Sequence, residues 1–317
     1  MRLGLFLPVS GRAATRETLV EAARQAERWG FDSVWAADRI VIPWQIETGY
    51  AYNESGSFFV PPDRPFLEAL TTVAFLAGCT ERVRLGVSVL VLPYRNPLYW
   101  AKVVTTIDHL SEGRFVLGVG VGWMREEFEA LGADFERRGA VADEHLEIWR
   151  VLTTEEHASH EGRLHRFDDI GFLPKHYRAP IPIWVGGEGR AARRRAGRDG
   201  NAWFPYFVRI TPDELRARFE EVREFAAQAG RTPAGIGLNC CLPIEVTEES
   251  APQTPDSLRG TPEQLVEALR RFGEIGVDTV ALQFMAPRYP ARLEQIERFA
   301  TEALPHLADG PVASAGY

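Results

Sequence analysis

The sequence predicts a single α/β domain, residues 1–317, folded as a (β/α)8 TIM barrel with insertions after strands 2 and 4 and near strand 7. Two observations predict it. Short apolar runs alternate with longer segments of helical period, and eight such strand–helix units can be counted. No stretch among the 317 residues has the composition of an interdomain linker. Continuous apolar strands separated by helices argue a parallel sheet covered on its outer face, and eight units of this length close a barrel.

The elements follow in order. Leu3 to Pro8 reads as a buried strand; Leu19, Ala22, Ala26 and Trp29 then share one helix face, which Gly30 ends. Ser33 to Ala37 is the second strand, followed by a helix over Phe66 to Ala77. Val83 to Leu90 is the third, and its helix starts near Asn96 with Pro97 at the favoured first position. Phe115 to Val121 is the fourth; its helix comes late, with Val141, His145, Ile148, Trp149 and Leu152 on one stripe. The second half repeats the pattern. Ile181 to Val185 leads to a helix over Arg190 to Arg198, and Asn201 to Pro205 to one carrying Leu215, Phe219, Val222 and Ala226. Gly235 to Ile244 leads to "TPEQLVEAL", where Thr261, Pro262 and Gln264 make a helix start. Thr279 to Met285 precedes a last helix with Leu293, Ile296, Ala300 and Ala303.

The stretch "FVLGVGVGWM" raises a competing reading, because Gly118, Gly120 and Gly122 imitate a dinucleotide loop. That fingerprint needs its third glycine where Trp123 stands, and it belongs on the first strand of its fold. The glycines are expected instead to let a ligand lie against the mouth of a barrel strand.

A net charge of −8 argues against a nucleic-acid or anionic-membrane partner. No run of 18 apolar residues spans a membrane, the N-terminus lacks a signal peptide, and a cytoplasmic location is expected. Cys79, Cys240 and Cys241 give no disulfide framework, and adjacent Cys240 and Cys241 would face opposite sides of a strand. The four histidines His157, His160, His165 and His176 lie in a polar insertion without zinc-like spacing, so no metal is expected.

Barrel chemistry sits at the carboxyl ends of the strands. Those ends collect glycines and aromatics but no paired carboxylates, Ser–His or His–His arrangement, which suits a redox cofactor that carries the chemistry. The plainest anion site is "VGGEGR", where Gly186, Gly187 and Gly189 free backbone N–H groups as a helix begins near Arg190. A tight glycine turn without a ligand is the other reading. Arg193, Arg194 and Arg195 cannot all face one ligand, being about 100° apart on a helix. The insertion Val41 to Pro65, with Trp44, Tyr50, Tyr52, Phe58 and Phe59, is either a lid or extra packing at the rim.

In this order, "MRLGLFLP", "DSVWAADRIVIP", "ERVRLGVSVLVLPYRNP", "LSEGRFVLGVGVGW", "PIPIWVGGEG" and "GVDTVALQF" resemble the bacterial luciferase-like superfamily of flavin- and deazaflavin-dependent oxidoreductases. The chain is most similar to the coenzyme F420-dependent branch. The resemblance spans nearly all of it and implies a barrel that holds F420, or alternatively FMN, across its mouth. It also implies a homodimer. By position, Asp38 would approach the polar edge of the cofactor ring, and Ser88-Val89 would form a cis-peptide bulge behind it. Val121 and Gly122 would line the ring, while Gly186, Gly187, Gly189 and Arg190 would hold the phosphate-bearing tail.

The chain departs from related sugar-phosphate dehydrogenases, which carry histidine where Arg39 stands and glutamate where Trp123 stands. Arginine stays protonated, so Arg39 is a poor proton shuttle; as the candidate catalytic residue it would stabilise an enolate or bind an acidic substrate. Hydride transfer from reduced deazaflavin to an activated C=C or C=N of a small organic substrate is therefore expected. An FMN-dependent monooxygenase supplied by a partner reductase, and a non-catalytic flavin-binding protein, are the alternatives. Relatives also carry a serine where Gly189 stands.

Overall fold

The computed structural model describes residues 1–252, 254–286 and 289–307; the last residues of the expected domain, 308–317, lie outside the described residues. Among the described residues eleven strands form in chain order: β1 Arg2–Phe6, β2 Ser33–Ala36, β3 Arg84–Val91, β4 Phe115–Gly120, β5 Ala158–Glu161, β6 Arg166–Ile170, β7 Ile183–Gly186, β8 Ala202–Phe204, β9 Gly237–Val246, β10 Leu258–Gly260 and β11 Val277–Phe284. Eight of them, β1-β2-β3-β4-β7-β8-β9-β11, pair in parallel, and β11 pairs back onto β1 to close the barrel. These eight are the strands that the apolar runs mark. The other three decorate it. β5 and β6 make an antiparallel hairpin in the polar insertion, and β10 adds to β9 beyond the barrel.

The helices are α1 Arg16–Trp29, α2 Ala69–Ala77, α3 Pro97–Leu110, α4 Arg125–Ala130, α5 Arg138–Thr154, α6 Arg190–Asp199, α7 Pro212–Gln228, α8 Pro262–Glu274 and α9 Tyr289–Glu302. Local chemistry sets their ends. Thr15 accepts the Thr18 N–H to start α1, and Gly30 ends it in the left-handed region at φ 85°. Asn96 accepts the N–H groups of Leu98 and Tyr99 to start α3. Glu68 caps α2, so that helix begins at Ala69 rather than Phe66, whose backbone bridges to Ser10. The short α4 is an addition to the expected pattern.

One side of every strand faces the helices and forms the main core; the other fills the barrel. Trp35, Trp184 and Phe204 occupy the interior with ring centroids 4.9–5.1 Å apart. Trp35 fits only because Gly4 and Gly86 flank it: a Cβ on Gly86 would lie 2.3 Å from its ring. Its indole N–H donates to Ser33 at 2.9 Å, so this deeply buried tryptophan leaves no orphan donor. Cys240 joins the outer core and Cys241 the interior, on opposite faces of β9.

Candidate active site at the barrel mouth

The β3 strand carries the first feature of the mouth. Its pairing with β4 slips between Val87 and Leu90, and the Ser88–Val89 peptide within that slip is cis. Val89 sends its side chain across β4 and β7. A Cβ on Gly118, Gly120 or Gly186 would stand 3.3, 2.5 or 2.9 Å from a Val89 methyl. Within β4, Gly120 thus leaves room for a Val89 methyl, and Gly118 for the Val87 carbonyl oxygen, which would lie 2.1 Å from a Cβ there. Gly122, at φ 76°, turns the chain, and a Cβ there would lie 2.8 Å from both Phe128 and Val91. Val121 beside it is half-buried.

Asp38 and Arg39 follow β2, but both side chains are already partnered. Asp38 binds Arg95 through both oxygens, at 2.7 and 2.8 Å, and accepts the Val91 N–H at 2.9 Å. The guanidinium of Arg39 pairs with Glu127 of α4, beneath the rings of Phe58 and Trp123, whose centroids lie 5.0 and 5.2 Å from it. Glu127 is fully buried and also accepts Tyr94 Oη at 2.7 Å and the N–H groups of Ile40 and Val41 at 2.8 and 3.2 Å. A substrate carboxylate would have to compete with this carboxylate for Arg39. In this arrangement the Arg39 guanidinium is matched by a buried carboxylate.

The insertion Val41 to Pro65 folds over the mouth. Glu126, next to Glu127, accepts the N–H groups of Glu47 and Thr48 at 2.7 and 2.9 Å, so two consecutive glutamates of α4 anchor the loop. Tyr50 packs on Trp123 at 5.0 Å between centroids and meets Phe58 and Phe59 edge-on. Tyr52 stands edge-on to Tyr206 at 5.0 Å. Trp44, the fifth aromatic of the loop named by sequence, points to solvent.

Tyr52 ends on Glu188, inside the glycine turn. Its hydroxyl lies 2.8 Å from Glu188 Oε2, and Glu188 Oε1 accepts the Tyr206 N–H at 2.8 Å. Burial raises the Glu188 carboxyl above its usual range, against the lowering effect of those hydrogen bonds. Burial likewise raises the hydroxyls of Tyr50, Tyr52 and Tyr206 and the Cys241 thiol, so all four stay protonated near neutrality. Tyr206 Oη donates to Gln283 Oε1 at 2.5 Å.

The same turn carries the start of α6. α6 begins after Gly189 with no side-chain cap, so its first N–H groups await an acceptor. A Cβ on Gly189 would meet nothing within 4 Å, and Arg190 is exposed with its guanidinium over Phe225. Gly187, at φ 97°, aims the turn, and its carbonyl accepts the Trp203 indole at 2.9 Å. A phosphate-bearing cofactor fits this end of the mouth. The Arg193-Arg194-Arg195 run is spent elsewhere in part: Arg193 binds Glu221 and Arg195 binds Asp143.

The four histidines do not converge. His157 pairs with Asp169, His160 and His165 face Glu144, and His176 accepts the Ile181 N–H. No group of three or more His, Cys, Asp or Glu is arranged to hold a metal among the described residues. No helix there is long and apolar enough to cross a membrane.

Fold and mouth together define a (β/α)8 barrel with a candidate active site at the carboxyl ends of its strands. Residues 1–252 match the luciferase-like monooxygenase family, and the chain belongs to it. It is 34% identical over 213 residues to the phthiodiolone/phenolphthiodiolone dimycocerosates ketoreductase of Mycobacterium bovis, covering 65% of this chain and 55% of that one. Among solved structures it superposes on an F420-dependent secondary alcohol dehydrogenase with a TM-score of 0.77 at 19% identity, over 97% of this chain and 99% of that one. A monooxygenase from Streptomyces bottropensis matches equally well, with a TM-score of 0.77 at 22% identity over 96% and 99% of the two chains. These two likenesses concern the fold.

Sequence reasoning missed Glu126, Glu127, Tyr94 and Glu188. Glu188 carried a signal, since a carboxylate between Gly187 and Gly189 is out of place in a turn suited to anions. Tyr206, just past the sixth predicted strand, and Gln283, within the last, drew no role either.

Proposed function

We propose that the chain is a coenzyme F420-dependent oxidoreductase that reduces an activated C=C or C=N bond of a small organic molecule. The observation that carries this reading is the Val89 brace, seated among Gly118, Gly120 and Gly186 on the strand that leads to the uncapped start of α6. That layout gives a flat apolar seat at one end and an anion cradle at the other. The F420-dependent enzyme among the fold's neighbours and the ketoreductase among its relatives support it.

When bound, the reduced cofactor supplies a hydride. The chain's own residues do the rest. Val89 would back the ring, and the N–H groups from Gly189 into α6, with Arg190, would hold the phosphate-bearing tail. Tyr50, Tyr52 and Phe58 shield the mouth from water. Arg39 is neutralised by Glu127, and Trp123 lies under Tyr50, so neither position supplies the base that alcohol oxidation needs. Reduction of a polarised double bond asks less of the protein: one proton donor.

One observation favours a second reading. The closed aromatic lid also suits an FMN monooxygenase, in which water must be kept from a reactive oxygen species. Titrating the purified protein with F420 and FMN, each oxidised and reduced, separates the two. Micromolar binding of the deazaflavin and reduction of cyclohex-2-enone support the first; preference for reduced FMN overturns it in favour of the second.

A further inference from the structure

We propose that Tyr52 is the proton donor to the substrate and that Glu188, acting through Tyr52, is the positioning residue that resupplies its proton; this rests on the reductase reading above. The argument begins by elimination among the acids of the mouth. Asp38 is bound at both oxygens by Arg95, and Arg39 is matched by Glu127. Tyr94 spends its hydroxyl on Glu127. Tyr206 spends its own on Gln283. Tyr50 packs its ring on Tyr52, Phe58, Phe59 and Trp123, and among the described residues no carboxyl group is hydrogen-bonded to its hydroxyl to resupply a proton. Tyr52 alone pairs its hydroxyl with a carboxyl group that burial favours in the protonated form.

The orientation of Glu188 completes the relay. Because Oε1 accepts the Tyr206 N–H, a proton on this carboxyl sits on Oε2, against Tyr52 Oη. In the structure Tyr52 donates to Glu188; once Glu188 carries a proton on Oε2 the direction reverses, and the hydrogen of Tyr52 can turn into the mouth. The groups facing Glu188 are Tyr50 and Tyr52 from the lid, Tyr206 after β8, Cys241 in β9 and Arg218 of α7. Arg193 of α6 binds its backbone carbonyl at 2.5 Å. Arg218 favours the ionised form, and burial outweighs it.

The step balances. The hydride brings two electrons to one carbon of the C=C or C=N bond, and the π pair moves to its other end. There it takes the Tyr52 hydroxyl proton. The phenolic oxygen takes the proton of Glu188 Oε2, leaving a carboxylate that solvent reprotonates when the lid opens. The substrate gains two electrons and two hydrogens, and the cofactor loses the hydride.

The test uses the full-length protein labelled with [δ-13C]glutamate, with Glu188→Gln to assign its carbon signal. We expect the Glu188 carboxyl to titrate above the ordinary carboxylate range; titration within that range, at about 4–5, overturns the relay. Tyr52→Phe should shift that titration, and an unmoved titration would also overturn it. With reduced F420 and cyclohex-2-enone as probes, Tyr52→Phe should slow single-turnover oxidation of the cofactor about 10²–10⁴-fold at unchanged cofactor affinity. Glu188→Gln should flatten the pH profile of the same step. Wild-type rates in both variants overturn the proposal. Protein that binds F420 but leaves the enone untouched overturns the acceptor class and the donor role together. Protein that binds neither cofactor overturns the reductase reading alone, while the carboxyl titration still decides whether Glu188 holds a proton.

Discussion

The side chain of Val89 occupies the place that a side chain on Gly120 would need: a Cβ built on Gly120 falls 2.5 Å from Val89 Cγ2. Two strands thus share one volume, and the bulge of β3 depends on the bareness of β4. Gly120→Ala should force the bulge outward at a cost of about 1–3 kcal/mol, the usual range for overpacking. Cofactor affinity should fall with it. Urea unfolding and fluorescence titration of the same preparation check both, and a variant of unchanged stability would mean that Val89 turns aside freely.

The Arg39–Glu127 pair allows a sharper test. Glu127 is fully buried and accepts from Arg39, Tyr94 and the N–H groups of Ile40 and Val41. Removing one member of a buried pair leaves an uncompensated charge, at about 3–5 kcal/mol. Glu127→Ala should therefore lower the unfolding free energy by that much, read from urea unfolding. Arg39→Met with Glu127→Gln should recover part of the loss, because neither buried charge then lacks a partner. If Arg39 instead serves as a substrate-binding cation, Arg39→Met alone would raise KM greatly at nearly unchanged stability.

These contacts mark where legibility in the sequence stops. The eight barrel strands are readable because each is an apolar run buried on both faces, and Trp35 and Val34 look alike to such a pattern. The hairpin is not, since "ASHE" and "RFDDI" bring only Ala158, Phe167 and Ile170 to the core from two otherwise polar segments. Nor is α4, six mostly charged residues that owe their helix to Phe128 packing on Tyr94 and Phe135. In the site, the glycine turn and the Ser88–Val89 bulge are local and could be placed by position. Glu127 meets Arg39 across 88 residues, and Tyr52 meets Glu188 across 136. Such pairings depend on the lid folding across the mouth, which no local pattern encodes.

The lid itself should loosen when its anchor is cut. Glu126 accepts the N–H groups of Glu47 and Thr48, two hydrogen bonds to a charged acceptor at a partly exposed site. Glu126→Ala should speed amide exchange at 47 and 48 about tenfold or more, at roughly 1.5 kcal/mol for a charged acceptor. The barrel strands should keep their protection. Hydrogen exchange by mass spectrometry reads both regions at once. Equal acceleration in β3 would show that α4 supports the barrel rather than the lid.

Acid should weaken the protein through His145. Its ring is buried on α5 and accepts the Trp100 indole N–H at Nδ1, 3.4 Å away. Burial first, and then His165, pull its pKa down to about 4, while Glu144 and the Leu92 carbonyl pull the other way. Between about pH 6.5 and 4 the unfolded chain binds the proton that the folded ring refuses. The depressed value therefore gives stability that is fully present above pH 6.5 and is lost as pH falls towards 4. The ceiling is about 3 kcal/mol, at 1.36 kcal/mol per unit. His145→Gln keeps an acceptor for Trp100 but cannot take up a proton. Its unfolding free energy should be lower than wild type at pH 7 through lost packing, yet flatter between pH 6.5 and 4. Urea unfolding across that range decides the matter: parallel wild-type and variant curves would place the acid sensitivity elsewhere, and a convergence of the two near pH 4 would assign it to this ring.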